Sequence, residues 1–224
     1  MEYDYPDRPL RRRGEAGFHL AATRLHRTVT AAGHAPQMDT TTAIYRRRAI
    51  RAYTAEPVAP EAIEQLIDAA VQAPSSMDLE PWAFAVVEGA ARLKAFSDRA
   101  KATFVAHIAP QTLETRIHAM LANPDFNIFH DAPALIVVCG TSDDPQAAED
   151  CCLAAQNLML AAHAAGLGTC PIGFSRPWLR LPETKSELGI GARYLPVFPV
   201  VVGHPAERPP APGRRKPPIV RSPA

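Results

Sequence analysis

The sequence predicts an α+β fold, a sandwich in which helices cover a small mixed sheet, and three observations carry that prediction. Trp82 to Glu88, Ala134 to Cys139 and Leu195 to Gly203 are apolar runs of strand length, the last two β-branched. Helical patterns fall between them, so the ordered chain reads helix, strand, helix, strand, helix, strand. At 224 residues, 47% hydrophobic and 21% charged, the chain is long and apolar enough for one domain with a full core.

Residues 1–38 mix Arg8, Arg11, Arg12, Arg13, Arg24 and Arg27 with small residues and show no core pattern, so a disordered extension is expected. Two readings stay open, a transit-like leader and a leader read from an upstream start with Met38 as the functional start. Thr40 to Thr42 offer N-caps for a short helix that runs into the arginine cluster. Pro60 and Glu61 open an amphipathic helix with Ile63, Leu66, Ile67, Ala70 and Val71 on one face, ending before Pro74. After the first strand, Leu93, Phe96, Ala100 and Phe104 recur along a helix from Ala90 to His107. A weaker helix spans Leu113 to Leu121, and Phe126 and Phe129 in the next loop either cover a pocket or pack on the core.

Ala147 to Ala165 is so apolar that it should be buried almost all round, with Gly166 as its C-cap. Gly166 and Gly168 follow a helix and lack a third glycine, so they are no dinucleotide fingerprint. Thr169 to Phe174 reads as a tight apolar turn and Trp178 to Leu188 as a short helix. The core domain is thus expected over residues 39–203. Of the 23 prolines, seven follow His204, which makes residues 204–224 an extended arm that lies on something, such as a second subunit.

Composition excludes several classes. A net charge of +1 offers no field for nucleic acid or an acidic membrane. No apolar run approaches the ~20 residues of a membrane span. Cys139, Cys151, Cys152 and Cys170 lack C-x-x-C spacing and read as reduced thiols in the cytoplasm. The histidines lack ligand spacing, so no metal site is expected, and no Ser/His/Asp arrangement is legible. His107, His118 and His130 read as surface or lid residues.

Pro74-Ser75-Ser76-Met77-Asp78-Leu79-Glu80-Pro81-Trp82 concentrates hydroxyls, carboxylates and a tryptophan between two φ-fixing prolines. By itself it is either the lip of a site or a capped turn whose serines satisfy helix ends. Three further stretches join it: Arg47 to Tyr53, Gly166 to Phe174, and Val200-Val201-Val202-Gly203-His204-Pro205 with the basic tail beyond. In this order and spacing the four resemble the nitroreductase family of FMN-dependent oxidoreductases. The resemblance implies a three-layer sandwich with a four- or five-stranded sheet, an intertwined homodimer and FMN at the subunit interface. It also implies ping-pong hydride transfer from NAD(P)H to small electron-poor acceptors such as nitroaromatics and quinones, with no indispensable protein catalytic group.

Under that resemblance Arg47 and Ala49 are phosphate and ribityl contacts, helped by Arg48 nearby and by Arg215 in the tail. A guanidinium fork suits a phosphate dianion. Arg51 matches the basic residue near flavin N1, where positive charge favours the reduced anion. Pro74 packs on the ring, Ser75 and Ser76 bond the flavin, and Pro171, Ile172 and Gly173 form the turn near N5. The chain departs from its relatives at three places: Ala49 replaces a common serine, Asp78 a common asparagine, and the glutamate many members carry between the Ile172 and Gly173 equivalents is missing. Asp78 accepts hydrogen bonds but donates none, and its charge opposes Arg51. Glu80, where glutamine is common, reads as surface. Rival readings are a relative of different chemistry (dehalogenase, azoline oxidase or flavin-cleaving enzyme) and a non-catalytic FMN-binding or interaction protein.

Overall fold

The computed structural model describes residues 38–107, 114–210 and 213–221. Residues 1–37, on which the expected disordered extension falls, lie outside them. Two helices open the described residues, α1 (Thr40–Arg46) and α2 (Pro60–Ala70). Asp39 caps α1, accepting the Thr42 N–H at 2.9 Å, in place of the expected threonines. Next come β1 (Trp82–Glu88), α3 (Ala90–His107), α4 (Thr115–Ala122) and β2 (Ala134–Gly140). The chain then runs through α5 (Pro145–Ala164), β3 (Gly168–Pro171), α6 (Arg176–Leu179), α7 (Pro182–Glu187) and β4 (Leu195–Gly203).

The sheet order is β1-β2-β4-β3, and every neighbouring pair is antiparallel. The sheet expected as mixed is therefore antiparallel among its four strands, with one isolated parallel bridge, Ala49 to Thr169, at its β3 edge. β2 is buried at every position because both faces are covered, which is why it reads as an unbroken apolar run. Ile136 and Val138 pack with α2 and α5, whereas Leu135 and Val137 pack with α3 and α6. Three layers result: α2 and α5, the sheet, then α3 and α6. Central β4 tolerates Pro196 and Pro199 because they lie beyond the short edge strand β3. The Pro196 carbonyl instead accepts from Arg180 Nε at 3.0 Å, and that of Pro199 from the Ile172 N–H at 2.9 Å.

Three expectations are corrected. α5 is not buried all round: Cys152, Leu153 and Gln156 are exposed in one chain, so its second apolar stripe lacks cover. Thr169 to Pro171 is edge strand rather than turn, and Trp178 to Leu188 splits into α6 and α7, the latter opened by Pro182. Phe126 and Phe129 divide the alternatives: Phe129 is fully buried against Trp178, and Phe126 borders a hollow. Lys101 fixes that loop to α3 by donating from Nζ to the carbonyls of Asn123 and Phe126, at 3.0 and 2.9 Å.

Gly166 ends α5 at φ +81 in a Schellman arrangement, with the Leu167 N–H donating to Ala162 O at 2.8 Å. Two residues on, the Ile50 N–H donates to Thr169 O at 2.9 Å. A Cβ on Gly168 would lie 2.7 Å from Ile50 Cγ1, so only glycine lets the arginine segment lie flat on β3. Gly168→Ala is expected to cost about 1–3 kcal/mol through overpacking. Urea unfolding measures it, and a midpoint equal to wild type would show that Ile50 yields freely.

Candidate active site

The segment after α1 is extended, so alternate side chains point to opposite sides. Arg51 lines a hollow of about 650 Å³ together with Cys170, Pro171, Ile172 and Gly173. Arg48 and Ile50 instead line a separate hollow of about 400 Å³ with Arg46, His163 and Arg208. The expected contacts Arg47 and Arg48 thus differ. Arg48 Nη1 donates to Tyr45 O and Arg47 O, both at 2.7 Å, and so closes the C-terminus of α1. Arg47 Nη1 is buried with no hydrogen-bond partner and makes no such bond to α1, while Arg48 leaves only its Nε buried and unpaired.

Burial lowers the Arg47 pKa, and the nearby charges of Arg214 and Arg48 lower it further. The tail residue whose charge bears on Arg47 is therefore Arg214, next to the expected Arg215. Burial raises the Cys170 thiol, while the charges of Arg51 and Arg47 pull it back. All four cysteines are free, and burial drives Cys139 and Cys151 up to about 12, far from thiolate.

Sequence reasoning offered Phe126 as a pocket cover but missed the rest of the far wall of the larger hollow: Phe104, Met120, Ile128, Phe174 and Arg176. Phe104 and Phe174 meet edge to face at 4.8 Å. The signal was weak, because Phe104 and Phe126 sit in a helix and loop whose packing alone decides which side they face. His130, expected as a surface or lid residue, borders the hollow too, and its pKa falls to about 4 through burial first and then the charge of Arg51, against an opposing effect of Asp131.

The proline-bracketed loop lies elsewhere. Ser76 donates its N–H to Asp150 Oδ2 at 3.1 Å, near the start of α5, and Ser75 Oγ accepts the Glu80 N–H at 3.0 Å. Ser75 and Ser76 thus stabilise the turn itself. Met77, Asp78 and Glu80 have φ of 53, 52 and 46, a left-handed conformation that costs roughly 1 kcal/mol per residue. Pro74 and Asp78 are exposed, and so are Met77 and Leu79 at 71% and 68%. The arginine segment sits at the other end of α5, where burial first, and then the charges of Arg208, Arg47 and Arg48, lower the His163 pKa. At 1.5 Å per residue, Asp150 and His163 are roughly 20 Å apart along the helix. One chain therefore does not bring the Pro74–Asp78 loop to Arg47, Arg51 and the Pro171–Gly173 turn.

Among the described residues no cluster of three His, Cys, Asp or Glu could hold a metal ion, and no helix is long and apolar enough to cross a membrane.

The sequence profile described as Nitroreductase family matches residues 44–204. The chain is 30% identical over 186 residues to a protein of Methanothermobacter thermautotrophicus provisionally named NADH dehydrogenase/NAD(P)H nitroreductase, spanning 81% of this chain and 85% of the relative. It is 33% identical over 162 residues to the FMN reductase [NAD(P)H] of Bacillus subtilis, spanning 72% of this chain and 64% of that protein. A Desulfitobacterium hafniense nitroreductase with bound FMN superposes with a TM-score of 0.66 at 26% identity, over 82% of this chain and all of the other.

The His130 shift has a definite sign. The unfolded imidazole takes up its proton near pH 6.5 and the folded one only near 4, so the unfolded state binds more protons in between. Stability is intact above pH 6.5 and falls as pH drops toward 4, by about 1–2 kcal/mol after screening of this partly exposed ring. His130→Asn, which tolerates the positive φ, is expected to flatten this part of the profile in urea unfolding from pH 4 to 7.

Proposed function

Because the chain belongs to the nitroreductase family, we propose that it is a homodimeric, FMN-dependent oxidoreductase that takes electrons from NAD(P)H and passes them, by a ping-pong scheme, to electron-poor acceptors such as nitroaromatics and quinones in the cytoplasm. The observation that carries this reading is the unpaired, buried Arg47 Nη1, with Arg214 and Arg48 adding charge around it. A buried N–H of a half-buried guanidinium is costly to leave without a partner unless an anion meets it, and a phosphate dianion fits. The neighbouring hollow of about 650 Å³ is large and apolar enough for a flat ring system.

In this reading Arg47, Arg214 and Arg215 hold the FMN phosphate, while the Ala49 backbone meets the ribityl chain. Arg51 sets a fixed positive charge at the pyrimidine edge, and Pro171, Ile172 and Gly173 line the ring on the β3 side. Bound FMN supplies the two-electron transfer between nicotinamide and acceptor. Phe104, Phe126 and Phe174 exclude water from one side, and His130 stays neutral at physiological pH beside Arg51.

Pro74, Ser75, Ser76 and Asp78 complete the site from a second copy. Since loop and arginines lie at opposite ends of α5, a two-fold axis across the exposed Cys152–Leu153 face sets each loop beside the other chain's arginines and buries Met77 and Leu79. The left-handed strain of Met77 is then offset by burial at the interface.

Purified full-length protein is expected to be yellow, dimeric by light scattering and loaded with FMN that NADPH or NADH bleaches in a stopped-flow instrument. Colourless protein that takes up no added FMN would overturn the reading. Arg47→Ala is expected to weaken FMN binding at least about tenfold in a fluorescence titration, as loss of a charge-assisted bond implies. Asp78→Asn removes a negative charge from the ring edge and should raise the midpoint potential by tens of millivolts, on the order of 1 kcal/mol. Reductive titration of both proteins measures this, and equal potentials would refute the assignment of Asp78 to the ring.

A further inference from the structure

A second hollow, of about 480 Å³, adjoins the one lined by Arg51 and shares Phe104, Gly173 and Arg176 with it. Its other walls are His107, Pro177, Arg180 and Leu181. Among the described residues no carboxylate lines either hollow, so none of them neutralises the cations at their junction. Arg180 Nε is engaged by the Pro196 carbonyl, and the charge of Arg176 adds to burial in lowering the Arg180 pKa. The Arg176 side chain is exposed and makes no hydrogen bond or ion pair among the described residues, while its backbone N–H donates to Gly173 O and its carbonyl accepts from the Arg180 N–H. Its Nη2 lies 3.9 Å from where a Cβ on Gly173 would stand, which sets a free guanidinium directly over the Pro171–Gly173 turn.

Resting on the oxidoreductase reading, we propose that this junction selects electron-poor aromatic acceptors that carry a carboxylate. The ring lies against Phe104 and Phe174, and Arg176 takes the carboxylate through its planar fork. Gly173 follows Ile172 directly, and a carboxylate at that turn would pair with Arg176 and repel such an acceptor. For a nitroaromatic the balance is two electrons and two protons in, one nitroso group and one water out. NAD(P)H gives both electrons and one proton, and solvent gives the other.

The test compares 4-nitrobenzoate with its uncharged analogue 4-nitrobenzamide on the full-length protein as purified. Calorimetric binding is read alongside kcat/KM with NADPH and with NADH. Wild type is expected to prefer the benzoate by about two- to fivefold, the scale of a partly exposed ion pair. The preference should disappear in Arg176→Gln through KM rather than kcat, and return in Arg176→Lys. A wild type that favours neither compound, or an Arg176→Gln variant that keeps the preference, overturns the proposal. So does a variant whose only change is a higher KM for NADPH than for NADH, which assigns Arg176 to the 2′-phosphate of the donor. Benzoate preference without flavin uptake would instead defeat the oxidoreductase reading and leave the anion site standing.

Discussion

The close approach of the arginine segment to the sheet is the constraint on which the rest of the structure depends. Ile50 lies on Gly168 where no Cβ fits, and Tyr53 and Pro133 crowd Gly203 in the same way, at 2.7 and 2.6 Å from a built Cβ. Between these contacts the segment is tied to both neighbours: Ile50 to Thr169, Thr54 to His204 and Ala206 to Ala52. A strand-like segment held at both ends fixes which side chains face which way. That geometry sends Arg51 to the larger hollow while Arg48 turns back to the end of α1.

Charge, once placed, shapes the site's chemistry. Arg51 and Arg47 act on Cys170, and Arg51 acts on His130. The imidazole is neutral and the thiol protonated at physiological pH, so guanidinium groups are the lasting charges on this side. Arg176 extends the cationic border past Gly173. A hollow with apolar walls and unneutralised cations attracts flat, electron-poor molecules and anionic groups alike.

α5 links this chemistry to assembly. Its sixth residue, Asp150, holds the strained serine loop, and its far end meets the arginines. Its remaining face exposes Cys152 and Leu153, the latter at 47%, beside Gln156. In the proposed two-fold pair, symmetry would bring these unlike ends together.

The sequence by itself determined the strands β1, β2 and β4 and the helices α2, α3 and α5, since their apolar periods and proline or glycine boundaries are local signals. It also marked Arg47, Arg51 and the Pro171–Gly173 turn through a pattern in linear order. Only the tertiary structure decided that Arg48 closes a helix, that His130, Phe104 and Phe126 wall a hollow, and that β3 is a strand rather than a turn. Only it showed the serine loop a helix length from the arginines, and Arg176 over Gly173. The physical reason is range. Helix and strand propensities act over a few residues, whereas which side of an extended segment faces a cavity, and which cation goes unpaired there, depends on contacts between residues far apart in the chain.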